Sequence, residues 1–248
     1  VIEVQTQGAV RVLTFSSGRV NALDVEFADE LTEAVRELQR AGGAPLVVTG
    51  AGRVFSAGVD LDRVVQGGAD YTDRLIPALS DLFVALFGYP GPTVAAVNGA
   101  AIAGGCVLAC ACDRRVMTSS GQIGASEVRV GVPFPVAALE VMRYACGHRA
   151  EEVVLGGRIY RDADAVEMRL VDRIVADELI DAALAEASDL AEIPPAAYRQ
   201  TKAQLRNPTL ARISNGADFD REVRGLWGTE ETRQRIAAYL ERLRRRDG

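Results

Sequence analysis

The sequence predicts an α/β fold that ends in an all-helical region, and three features carry that prediction. Runs rich in β-branched and apolar residues recur up to about residue 175. Helical periodicities alternate with them, and after about residue 177 only helical patterns remain.

Taken in order, residues 9–15 (AVRVLTF) and 45–49 (PLVVT) read as strands. Between them Phe27, Leu31, Ala34, Val35 and Leu38 recur at helical spacing, with Asp24 placed to cap the helix. Residues 93–97 (TVAAV) form a buried-type strand, a glycine-bearing turn follows, and a helix runs over 104–111. A strand at 114–118 precedes helical patterns near 136–146, 150–155 and 163–168, and a short strand fits LVDRIV at 170–175. Helices are expected at 177–192, 195–206, 218–226 and 229–245, with Asn207-Pro208 ending the second. The sequence shows no internal repeat. It divides into an α/β part over residues 1–190 and a helical part over 191–248.

Composition narrows the function. The 248 residues are 48% apolar and 25% charged, the proportions of an ordinary globular protein. A net charge of −6 argues against nucleic acid as a partner. No run approaches the roughly 18 apolar residues of a membrane span, and VIEVQTQGAVRV has no secretory pattern, so a cytoplasmic location without membrane contact is expected. Lys202 is the sole lysine, and arginines cluster from Arg242 to Arg246, either as a solvated helix end or as a phosphate contact. Cys106, Cys110, Cys112 and Cys146 include no CxxC pair and no neighbouring histidine ligand, so they read as buried small residues and no metal is expected.

Common catalytic motifs fail. GAGRVF at 50–55 follows a strand, but Phe55 stands where a dinucleotide loop needs its third glycine. His148 is the only histidine, and CGHRAEE reads as a loop before a helix rather than a catalytic dyad. Two glycine-bearing strand exits form a better pair: Phe55-Ser56-Ala57-Gly58-Val59-Asp60-Leu61, and Asn98 to Cys106 with Gly104-Gly105 opening a helix. Backbone can approach a ligand closely at both, and two N–H groups aimed at one point make an oxyanion hole.

These segments resemble the crotonase (enoyl-CoA hydratase/isomerase) superfamily. GAGRVFSAGVDL is similar to its first oxyanion segment and AAVNGAAIAGGCVLACACDRRV to its second. NALD at 21–24, IGASEVRVGVPF at 123–134 and TKAQL at 201–205 fall in the family's order, and the likeness spans roughly residues 5 to 245. It implies a spiral of ββα units with a helical carboxyl-terminal region that assembles trimers or paired trimers. It also implies an acyl-CoA substrate, with coenzyme A arriving as part of that substrate and no separate cofactor. The oxyanion donors would be the N–H groups of Val59 and Gly104. Asn21, Ala22, Ser56, Ala57, Gly58, Asp60, Leu61, Gly105, Val107 and Phe134 fall in the segments that would bind the substrate. The lysine that often follows the first segment is replaced here by about Asp62.

The resemblance also separates two chemistries. Hydratases hold one water between two glutamates, whose positions here are Val107 and Glu127. Valine neither accepts a proton nor bonds a water. A single carboxylate suffices to move a double bond, so Glu127 is expected as the catalytic group of a Δ3,Δ2-enoyl-CoA isomerase. Apolar neighbours such as Val107, Val128 and Phe134 would raise its pKa. VNALDVEF and AGGCVLAC resemble isomerase segments, while Val107 and Pro135 replace the aspartates of dienoyl-CoA isomerases. The alternatives are a hydratase-like enzyme with another second acid/base, or a non-catalytic acyl-CoA binding protein.

Overall fold

The computed structural model describes residues 1–247, with side chains through Arg245; the side chain of Arg246, from the arginine cluster, lies outside the described part. The chain opens with an antiparallel pair, β1 (Ile2–Gln7) and β2 (Val10–Phe15), followed by α1 (Val25–Arg40). Three turns of two strands and a helix follow. They are β3 (Leu46–Gly50), β4 (Val54–Ser56) and α2 (Leu61–Phe87); then β5 (Thr93–Val97), β6 (Ala100–Ile102) and α3 (Gly104–Cys110); then β7 (Arg114–Thr118), β8 (Gln122–Gly124) and α4 (Glu127–Val130). Each turn gives its first strand to a six-stranded sheet, ordered β1-β2-β3-β5-β7 and then β9 (Arg173–Val175). It gives its second strand to a three-stranded sheet, β4-β6-β8. All pairings beyond β1–β2 are parallel. The result is the expected spiral of ββα units.

After the spiral come α5 (Val136–Cys146), α6 (Ala150–Gly156), α7 (Asp162–Glu167), α8 (Leu179–Ala191), α9 (Pro195–Ser214), α10 (Ala217–Trp227) and α11 (Glu230–Asp247). Ala183 and Ala187 of α8, one turn apart, lie on Val10, Val12, Val47, Val94, Ala96 and Val116 of the large sheet. Two alanines on one face let the helix approach closely. The sheet's opposite side faces the main core, where Phe15, Phe27 and Phe55 pack ring to ring. No helix among the described residues is long and apolar enough to cross a membrane.

Two expectations need correction. Asn207-Pro208 does not end a helix, because α9 continues to Ser214. Proline frees the carbonyl four residues earlier, here on exposed Gln204 where water can reach it, while buried Arg206 and Thr209 hold the helix on either side. The sequence reading also placed nothing at 61–87, where the longest helix lies. Gly67-Gly68 and Pro77 interrupt its pattern, and Gly68, at φ 57° and ψ −145°, kinks it.

Helix α9 is fastened by charge. Asp113, at the mouth of β7, accepts from Lys202 Nζ at 2.7 Å, Arg206 Nη2 at 2.6 Å and Tyr198 Oη at 2.9 Å. It also accepts from the N–H and hydroxyl of Thr93, at 2.8 and 3.0 Å. Burial pushes its pKa up, but the Lys202 and Arg206 charges more than offset this and hold it below its usual value. The lone lysine of the TKAQL segment is thus a buried structural cation.

Candidate active site

The two glycine-bearing exits meet. Gly58 has φ 85°, and a β-carbon placed on it would stand 2.7 Å from Ile102 O and 3.2 Å from Gly104 N. Glycine is therefore required for the segments to approach so closely. Gly105 likewise leaves no side chain where Ser56 O would be met at 2.4 Å.

Backbone pairing orients the donors. Leu23 and Val59 form a parallel bridge, in which Leu23 N–H donates to Gly58 O at 2.8 Å and Asp60 N–H donates to Leu23 O at 2.9 Å. Both bonds use the neighbours of Val59, so the N–H of Val59 points to the opposite side. Gly104 is the first residue of α3, where a helix leaves its N–H groups without internal acceptors. The preceding Ala103, at φ 51°, has its own N–H taken by Gly124 O at 2.8 Å. Neither Val59 N–H nor Gly104 N–H donates to a carbonyl among the described residues.

Both residues line one cleft of about 380 Å³. Its exposed mouth includes Val20, Ala57, Asp62 and Leu243, and its buried interior includes Leu79, Phe83, Glu127, Val130, Val132, Ala138 and Trp227. Glu127 opens α4, and its carbonyl accepts from Val132 N–H at 3.2 Å, which holds the turn. Its side-chain Oε2 is buried without a hydrogen-bond partner. Burial pushes this carboxyl up to about 8, opposed by a bond from its own backbone N–H. Asp60 and Asp62 are the other carboxylates of the cleft; Asp60 is half-buried and Asp62 is exposed at the mouth. Asp60 caps α2 by accepting from Arg63 N–H at 3.1 Å, and Asp62 accepts from Arg244 of α11 at 2.6 Å.

This arrangement, two free N–H groups and one buried carboxyl in an apolar cleft, suits chemistry on a carbonyl compound that develops negative charge on oxygen. Residues 5–246 match the sequence profile described as Enoyl-CoA hydratase/isomerase. The chain belongs to that family.

Among relatives, a putative enoyl-CoA hydratase of Thermus thermophilus is 35% identical over 210 residues, covering 83% of each chain. The human mitochondrial enoyl-CoA delta isomerase 1 is 29% identical over 255 residues, covering 100% of this chain and 84% of its own. The crystal structure of human mitochondrial delta3-delta2-enoyl-CoA isomerase superposes with a TM-score of 0.93 at 28% identity, covering 100% of this chain and 99% of the other. The crotonase fold and an enzyme of the hydratase/isomerase family follow.

Within this family member the structure brings together Glu127, Val59, Gly104, Ala22, Ala57, Asp60 and Leu61 around the cleft. The other sequence-picked residues sit behind it. Asn21 is buried and structural: its amide donates to Ala51 O at 3.0 Å and Val54 O at 2.8 Å, and its Oδ1 accepts from Ser17 N–H at 3.0 Å. Ser56 Oγ donates to Asn21 O at 2.7 Å and accepts from Gly58 N–H at 3.2 Å. Val107 is fully buried in the main core and Phe134 is nearly so; neither lines the cleft, nor do Gly58 and Gly105. Val128 turns toward Gly157. The apolar residues that share the buried part of the cleft with Glu127 include Val130, Val132, Ala138 and Trp227.

The sequence reading missed one wall of the cleft, built by Trp227 of α10 and Tyr239, Leu240 and Leu243 of α11 and reaching the mouth at Leu243. The helical carboxyl-terminal part thus folds onto α2 of its own subunit and completes the cleft. Tyr239, Leu240 and Leu243, spaced as one face of a highly charged helix, were the available signal.

Proposed function

We propose that this family member is a Δ3,Δ2-enoyl-CoA isomerase. The thioester oxygen accepts from Val59 and Gly104 N–H. The Glu127 carboxylate takes a proton from C2 of a 3-enoyl-CoA, and the electron pair left behind forms a dienolate held by those donors. The protonated Glu127 then returns the proton at C4, the double bond settles between C2 and C3, and the carboxylate is regenerated. The single observation that carries this reading is Glu127 as the lone carboxyl of the buried interior, with Val107 in the core where a hydratase needs a second acid. A carboxyl with a pKa near 8 exchanges protons in both directions close to neutral pH.

The acyl part enters the apolar interior and the coenzyme A part stays at the mouth, where Arg244 replaces the missing lysine as a cation for its phosphates. Arg244 is two-thirds exposed and holds Asp62 in a solvent-screened pair, so exchange for a phosphate costs little. The exposed Leu205, Phe219 and Leu226 on α9 and α10 support self-association, proposed as a trimer or dimer of trimers and checked by light scattering. The deciding experiment supplies 3-enoyl-CoA and 2-enoyl-CoA separately and identifies the products. Conversion of the first with little hydration of the second supports the reading. Efficient formation of 3-hydroxyacyl-CoA from the second overturns it in favour of a hydratase.

A further inference from the structure

We infer that Trp227 is the fixed end wall of the acyl site and sets the longest chain the enzyme accepts. The inference rests on the acyl-CoA reading above and goes beyond it by naming the residue that measures the substrate.

Exposure along the cleft gives it a direction. Val20, Ala57, Asp62 and Leu243 at one end are open to solvent, and the charged pair Asp62–Arg244 stands there. Away from that end the lining includes Leu79, Phe83, Ala138 and Trp227, all buried at 4% exposure or less. An anionic head group stays at the charged, wet end, so the hydrocarbon tail points toward this buried set, in which the indole is the largest side chain.

The wall is rigid. Trp227 Nε1 donates to Pro133 O at 2.8 Å, which ties the end of α10 to the segment between α4 and α5. Asp220, near the start of α10, accepts from the N–H of Val136, the first residue of α5, at 2.8 Å. Beyond the tryptophan, Gly228 lies so close to α2 that a β-carbon there would meet Ala69 Cβ at 3.1 Å. Helix α10 is therefore held at both ends and packed against α2, α5 and α11. A side chain fixed in this way stops a growing chain rather than moving aside. Ala138, in the first turn of α5, lines the same interior and leaves room that a larger residue would fill.

Trp227 is also the only tryptophan in the chain, so the wall reports on itself. Saturated acyl-CoAs of increasing length are titrated into the intact protein, with free coenzyme A as the baseline, while indole emission is read. Emission stays at the coenzyme A baseline for short chains and changes from one chain length onward. Below that length each added methylene strengthens binding about fourfold, and beyond it the gain stops. Calorimetric titration of Trp227→Ala then moves the plateau to longer chains, and Ala138→Leu moves it to shorter ones without touching the tryptophan. Should Trp227→Ala fail to fold, the Ala138→Leu shift and the emission threshold still decide. Emission that responds equally to every chain length, or a plateau that neither variant moves, overturns the inference while leaving acyl-CoA binding intact. Absence of binding at every length overturns the acyl-CoA reading and this inference with it.

Discussion

A β-carbon on Gly58 would stand 3.2 Å from the backbone nitrogen of Gly104, although the two lie 46 positions apart in sequence. The two proposed oxyanion donors are thus fixed by one glycine that neither of them contains. Gly58→Ala forces an L-residue to φ 85° and drives its methyl into Ile102 O at 2.7 Å. The expected result is a kcat lower by about 10²–10³-fold, the loss typical of removing one oxyanion donor. Binding of a saturated acyl-CoA, measured calorimetrically, falls far less.

Glu127→Gln abolishes isomerisation and keeps acyl-CoA binding, because the amide preserves size but takes no proton. In the parent, kcat/KM rises with pH and levels off above the free-enzyme pKa of about 8. Stability moves the other way. The folded-state pKa lies above the ordinary 4.5, so the native state binds more protons than the unfolded chain between these values. Stability therefore declines as pH rises through that window. Glu127→Gln removes the decline and is the more stable protein above pH 8, by on the order of a few kcal/mol. Denaturant titrations of both proteins at acid and alkaline pH check the sign. A parent that is no less stable at pH 9 than at pH 5, relative to Glu127→Gln, contradicts it.

Asp113→Ala leaves the buried Lys202 and Arg206 without their carboxylate. Removing one partner of a buried ion pair costs about 3–5 kcal/mol, and urea unfolding should show a loss of that size. The parent's own acid sensitivity has the matching sign. With its folded-state pKa depressed, Asp113 contributes stability above the unfolded carboxyl range, and that contribution is lost as pH falls through the folded value.

Much of this architecture was legible because local patterns agree with the fold. The strands at 93–97 and 114–118 and the helix at 136–146 appear where periodicity placed them. Glycine pairs marked the site because backbone must approach backbone there, a requirement written in the residue type. The kinked α2 was not legible, since Gly67-Gly68 and Pro77 mimic loop signals and only tertiary packing of Leu75, Leu79, Leu82 and Phe83 overrides them. The short strands β4, β6 and β8, three residues each, carry too little pattern to separate from turns. Trp227 was invisible as a site residue because it meets Glu127's surroundings across 100 positions of sequence, a relation no local window contains.

Val107 decides how the hydratase alternative is tested. The family resemblance assigns this position to the second glutamate of a hydratase, and the structure places Val107 wholly inside the core, flanked on α3 by buried Cys106 and Leu108. A Val107→Glu variant is therefore a poor gain-of-function experiment. It inserts a longer, ionisable side chain at a site with 0% exposure, so desolvation and overpacking both oppose it, at a combined cost of several kcal/mol, roughly. We expect this variant to be strongly destabilised, with a lowered urea midpoint, and to hydrate crotonyl-CoA no better than the parent. The informative measurement is made on the unmodified protein, which is expected to hydrate crotonyl-CoA at a small fraction of the rate at which it isomerises a 3-enoyl-CoA. Two cooperating carboxylates act as a unit, so a chain holding one of them loses most of the hydration rate rather than half. Rapid hydration by the parent protein would mean that another group positions the water, and Asp60 and Asp62, the remaining carboxylates of the cleft, would be the first to substitute.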